Sequence, residues 1–156
     1  MNIYLLLKWL HILSATILFG TGIGIAFFKW ITDRTHDTRA IRIVNERTVL
    51  ADWLFTTPAV IIQPLSGIGL VRLGGFALDT NWIMISLLLY LAAGLCWLPV
   101  LKLQILMRDL ARIADRQQIP LPAQYWHYAR IWFWLGVPAF CALLIIYWLM
   151  VTKPML

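Results

Sequence analysis

An all-α polytopic bundle of four membrane-spanning helices, with both termini on the periplasmic side, is the architecture this sequence predicts, and three observations predict it. Charged residues make up 13% of the 156 and hydrophobic ones 62%, whereas a soluble domain carries about a quarter of its residues as Asp, Glu, Lys or Arg. Four apolar runs are each long enough to cross the hydrocarbon core as a helix. The basic residues gather in two of the three connections, which fixes an orientation. The net charge of +6 is therefore a topology signal, and no separately folded basic surface exists for a nucleic acid.

The first span is predicted over 3–28. It carries the only histidine placed inside the apolar part of the chain, His11. At 100° per residue, Tyr4, Lys8, His11, Ser14, Ala15, Leu18 and Gly22 share one stripe, which should face other helices because lipid offers such groups no partner. Gly20 and Gly24 lie on the opposite side with GxxxG spacing, a signal for packing against a partner helix or a second copy. The connection 29–50 holds Lys29, Arg34, Arg39, Arg42 and Arg47 and is expected outside the membrane, helical in its second half.

The second span is predicted over 51–71. Asp52 stands at its start, where a carboxylate suits the positive end of a helix dipole. Pro58 and Pro64 predict a kink, with the freed carbonyls taken up by neighbouring helices or hydroxyls. After the glycine-rich turn 72–81, the third span runs over 82–101 with a polar and small stripe of Ser86, Tyr90, Gly94 and Trp97. Met84 points away from that stripe. The connection 102–130 begins with an amphipathic extension in which Leu103, Leu106, Leu110 and Ile113 recur between Arg108, Arg112 and Arg116. Aromatic residues from Tyr125 to Trp134 form a belt at the entry of the fourth span, 131–151. Positive-inside then puts the loops 29–50 and 102–130 in the cytoplasm of a bacterial inner membrane. Cys96 and Cys141 lie in apolar runs without CxxC spacing and read as packing residues.

Intramembrane ionisable residues are expensive and usually functional, so His11 is the first candidate for chemistry. A neutral imidazole inside a helical bundle can be an axial ligand to haem iron, or it can be a hydrogen-bonded structural histidine. His36 and His127 lie at the other end of the bundle and cannot share its iron.

The chain resembles the bacterial integral membrane proteins grouped as domain of unknown function 2269. More distantly it resembles the HemJ-type protoporphyrinogen oxidases and the membrane part of CopD-like copper-resistance proteins. The distant resemblance rests on Lys8-Trp9-Leu10-His11, Thr56-Thr57-Pro58, Gly67-Ile68-Gly69, Pro138 and Lys153. It implies His11 as ligand to a b-haem and Lys8 as neighbour of a propionate or an anionic substrate; Ser86 and Tyr90, from the polar stripe of the third span, join them as candidate cofactor-binding residues. The HemJ type carries Trp-Leu-His-x-Lys where this chain has Trp82-Ile83-Met84-Ile85-Ser86, and Asn-Glu-x-Pro where it has Leu135-Gly136-Val137-Pro138. The groups that would exchange protons with a porphyrinogen are missing, so that activity does not carry over. The expectation is a small redox protein binding haem b, exchanging electrons with a quinone or a periplasmic partner. The alternative is a cofactor-free accessory or assembly subunit acting through the Gly20/Gly24 face.

Overall fold

The computed structural model describes residues 2–154. The order is α1 (Ile3–Asp33), α2 (Thr38–Ala51), a π-helical turn (Asp52–Thr56), α3 (Thr57–Leu73), α4 (Asn81–Gln117) and α5 (Ala123–Thr152). Because α2, the π turn and α3 are continuous, four long helices result, each long and apolar enough to cross a membrane. Both termini and the 74–80 turn lie at one end, here the terminal end. The loops 34–37 and 118–122 lie at the other, the charged end.

The helices run well past the predicted spans at the charged end. The side chain of Asn2 accepts from Tyr4 N–H to start α1. Its 31 residues measure about 46 Å, against a hydrocarbon core of about 30 Å. His36, with φ of 54°, turns the chain back, and Asp37 caps α2 by accepting from Arg39 and Ala40 N–H. The expected 29–50 loop is thus mostly helix, with a connection of only a few residues. Lys29, expected at the surface there, is 1% exposed.

The amphipathic extension of α4 exists, but its buried face differs from the expected one. Gln104, Met107, Ala111 and Ala114 are buried, whereas Ile113 is exposed and Leu103, Leu106 and Leu110 are only half-buried. The small side chains of Ala111 and Ala114 let α2 approach α4 closely, and Ile41 of α2 fills that seam. The Leu/Ile stripe is displaced by one residue because helix approach, not hydrophobicity alone, selects the face.

The kink expected in the second span takes the form of the π turn. Pro58 has no N–H and its ring collides with the carbonyl four residues earlier, that of Leu54. An extra residue in the turn widens it there. Since the helix is unbroken from Thr38, Asp52 does not stand at a helix N-terminus, and the dipole role expected of it does not apply. Pro64 sits inside α3 and frees the carbonyl of Val60. The Tyr90 hydroxyl of α4 donates to that oxygen at 2.6 Å.

Packing is uneven. α1 lies along α3, α4 lies along α5, and α2 covers the charged end of α4. One core, around Ile41, Met107, Tyr125 and Trp132, closes the charged end, and a smaller one, of Trp82, Ile83 and Leu149, closes the terminal end. Between these cores α1 meets α5 mainly through Phe19, stacked on Phe140 at 5.1 Å and edge-on to Tyr147 at 5.4 Å. The middle of the bundle is hollow.

Candidate functional site

His11 belongs to the α1–α3 seam. Its Nδ1 lies 2.9 Å from Ser66 Oγ. Ser66 directs its own proton to the carbonyl of Ile62 at 2.6 Å, so Nδ1 is the donor to the serine oxygen. One turn on, the Ser14 hydroxyl donates to Gln63 Oε1 at 2.6 Å. Gly67 admits the imidazole, since a Cβ there would stand 3.2 Å from His11 Cε1. The polar stripe expected on α1 does face another helix through these residues, and the sequence passes a two-rung polar ladder across the seam.

The other expected site residues do not gather around His11. Lys8 is exposed. Ser86 is buried, but its hydroxyl is spent on the Trp82 carbonyl of its own helix at 2.7 Å. Tyr90 is spent on Val60. His36 lies against Trp126 with its ring tilted by 53°, and His127 neighbours Tyr128, both at the charged end. Among the described residues no group of three or more His, Cys, Asp or Glu side chains converges on a point. His11, Lys8, Ser86 and Tyr90 are thus not gathered around one point. A hollow in the middle of the bundle is bordered by neither His11, Lys8 nor Ser86, and the imidazole is hydrogen-bonded to Ser66 of α3.

That hollow is a cavity of about 410 Å³ enclosed by α1, the π turn, α4 and α5. Its walls are almost wholly apolar. Gly22, Gly94 and Gly136 come to it from three different helices, and a Cβ on any of them would meet nothing within 4 Å. Gly22, Phe133, Gly136, Val137 and Cys141 border the cavity while themselves exposed. The cavity therefore opens sideways between α1 and α5, toward lipid. Tyr90, Gly94 and Trp97 of the expected α4 stripe border it; Ser86 does not.

One end of the cavity is polar. Asp52, on the π turn, lines it and is 4% exposed. Thr56 and Gln104 stand beside its carboxyl, yet Asp52 Oδ2 and Thr56 Oγ1 have no hydrogen-bond partner. The indole nitrogens of Trp97 and Trp132, two more lining residues, are also buried without one. Four orphaned polar atoms around one hollow contrast with the general rule that buried polar groups are paired. The π turn carries two of them, Asp52 Oδ2 and Thr56 Oγ1, and such turns are a common mark of a functional position.

Beyond Trp132, toward the charged end, a second polar group is bonded within itself, with Asn45 Oδ1 alone of its atoms left without a partner. Lys29 donates to Asp33 at 2.7 Å and to the Tyr125 hydroxyl at 2.9 Å. Tyr125 donates to Asp33 at 2.6 Å and accepts from Asn45 at 2.9 Å. This knot ties α1, α2 and α5 together and leaves Lys29 no charge to offer the cavity.

Asp52, Gln104, Trp97 and Trp132 went unnoticed as site residues in the sequence. A signal for Asp52 was present: Asn45, Thr48, Asp52 and Thr56 recur at helical spacing and are all buried, a polar stripe leading into an apolar span. Trp97 had one too, its place on the polar and small stripe of α4; Gln104 and Trp132 carry no such signal, because packing decides that they turn inward. No curated protein and no solved structure matches the chain. A family model described as predicted integral membrane protein (DUF2269) matches residues 5–154. With nearly its whole length matched, the chain belongs to that family of integral membrane proteins.

Proposed function

We propose that the protein binds a small lipophilic molecule within a bacterial inner membrane, between the α1–α3 and α4–α5 pairs. The observation that carries this reading is the lipid-facing cavity with an apolar body and one polar end at Asp52. Preformed apolar hollows with a few polar groups are the usual form of a small-molecule site. The three glycines leave room that any side chain would occupy, and the opening between α1 and α5 lets a molecule enter from the bilayer. A quinone is one ligand of this class.

The test is to purify the protein in lipid nanodiscs, extract it with organic solvent and identify what was bound by mass spectrometry. Wild type should yield a lipophilic compound that Gly94→Leu, which fills the cavity, does not. Equal extracts from the two would overturn the reading. A haem on His11 is a different outcome with its own signature: a Soret band in the purified protein, lost in His11→Ala, would put a redox protein in place of this proposal.

A second reading, an accessory subunit, rests on Gly20 and Gly24. Neither would bring a Cβ within 4 Å of anything in the bundle, so this face is open to a partner helix or a second copy. Self-association lost in Gly20→Leu, with the cavity variant unaffected, would favour it.

A further inference from the structure

We propose that the molecule held in the cavity is a lipophilic organic cation, bound as the counter-charge of Asp52 in exchange for its proton. The inference rests on the cavity reading above and names the class of its ligand.

Of the other six acids, Asp37 caps α2 and Asp79 is exposed, and the remaining four are ion-paired. Asp33 is paired with Lys29 at 2.7 Å, Glu46 with Arg112 at 2.6 Å and Asp115 with Arg42 at 2.7 Å. Asp109, more exposed than these, still lies 2.9 Å from Arg108. Asp52 is more deeply buried than any of them, and among the described residues no Lys, Arg or His pairs with it. Elements packed around the π turn bring it no free cation. Lys29 of α1 is committed to Asp33 and Tyr125. On α2, Arg42 is committed to Asp115 and Glu46, and Arg47 is exposed. The first fourteen residues of α3 hold no ionisable side chain. Toward Asp52 α4 presents the neutral Gln104, and the α5 residues of the cavity include no basic one.

A buried carboxyl in this position has two stable forms: neutral with its proton, or ionised against a cation that arrives from outside. The cavity suits the second. Its lining is apolar, with Tyr90, Trp97, Trp132, Phe133 and Phe140 along it. Aromatic faces attract organic cations, most strongly where water is excluded. An inorganic cation would find one carboxylate and too few oxygens to replace its hydration shell. A cation with an apolar body can fill the hollow and place its charge beside Asp52. The exchange balances: protonated Asp52 and the cation give an ionised carboxylate paired with the cation and one proton released. Affinity then rises with pH, by up to about tenfold per unit while Asp52 keeps its proton in the empty site.

The experiment compares two probes of nearly equal size and opposite prediction, methyltriphenylphosphonium and neutral triphenylphosphine oxide. Binding is measured by equilibrium dialysis against the full chain in phosphatidylcholine nanodiscs, with empty discs subtracted, at an acidic and an alkaline pH. The phosphonium should bind wild type more tightly at alkaline pH and release a proton into weakly buffered medium. Asp52→Asn, a neutral isostere whose folding is checked by thermal unfolding, should lose the phosphonium and keep the phosphine oxide. If Asp52→Asn binds the phosphonium as wild type does, or if wild type takes only the neutral probe, the cation assignment is overturned and the cavity reading stands. If wild type binds neither probe better than Gly94→Leu does, both fall together.

Discussion

At the scale of single residues, the bundle repairs its own irregularities with hydroxyls from other helices. Pro64 removes the N–H that would have bonded the Val60 carbonyl, and Tyr90 supplies the replacement from α4. A hydrogen bond of this kind contributes about 1 kcal/mol net, and an orphaned buried carbonyl costs about 1–3 kcal/mol. Tyr90→Phe should therefore lower stability by about 1–2 kcal/mol. In a Pro64→Ala background the restored N–H serves Val60 instead, so the same Tyr90→Phe change should cost measurably less. A double-mutant cycle on thermal unfolding in detergent reads the coupling; equal costs in both backgrounds would show that Tyr90 is there for another reason. Asp52 presents the opposite situation, since its Oδ2 has no partner and among the described residues no cationic side chain pairs with it. That contrast is why the proposed ligand site is placed at Asp52, whereas His11 is bonded to Ser66.

At the scale of elements, the charged end is a second bundle built on the first. α2 docks on α4 through Ile41 and the small faces of Ala111 and Ala114, and a chain of ion pairs runs along the outside. Glu46 sits between Arg112 and Arg42. The Arg112 hydrogen bond foremost, then the two positive charges, hold its carboxyl below the usual carboxylate range. Since its folded value lies below the unfolded one, near 4.3, the stabilisation is fully present above about pH 5. It is lost as pH falls through the folded value. Both groups are partly exposed, so the Glu46–Arg112 pair contributes less than about 1 kcal/mol. The expected result is a small acid-side drop in melting temperature that Glu46→Gln removes and that high salt weakens. An unchanged acid-side drop in Glu46→Gln would assign the effect to other carboxyls. The buried Lys29–Asp33–Tyr125–Asn45 knot is the stronger tie. Tyr125→Phe takes one partner from each of three groups, and should cost about 2–4 kcal/mol by leaving Lys29 and Asn45 underbonded.

At the scale of the whole molecule, two tightly packed ends hold a hollow middle open to the side. The bundle can keep such a hollow because between its two ends α1 and α5 touch mainly at Phe19, while each is held along its length by another helix, α1 by α3 and α5 by α4. Four crossings put both termini at one end whatever the orientation. The basic residues of the charged end predict that end in the cytoplasm. A C-terminal alkaline phosphatase fusion should therefore be active, and one placed in the 34–37 loop inactive. The reverse pattern would invert the bundle and place the polar end of the cavity toward the outer face.

Composition and periodicity determined, without any structure, that this is an all-helical membrane bundle, because the hydrocarbon core admits few other ways of satisfying a backbone. The same reasoning found the inward stripe of α1, since His11 and Ser14 have no place against lipid. It also foresaw that hydroxyls would serve the proline-freed carbonyls, which Tyr90 does. The α4 stripe of Tyr90, Gly94 and Trp97 was legible as well, but tertiary structure alone decided which face of α5 meets it, and so what encloses the hollow. Helix registers and the absence of side chains at Gly22, Gly94 and Gly136 create that space, and neither can be read from one chain position at a time. It also moved Lys29 from loop to interior and Asp52 from helix start to cavity wall. Whether a charge is solvated, paired or alone depends on what surrounds it in three dimensions, and its position in the sequence does not record that.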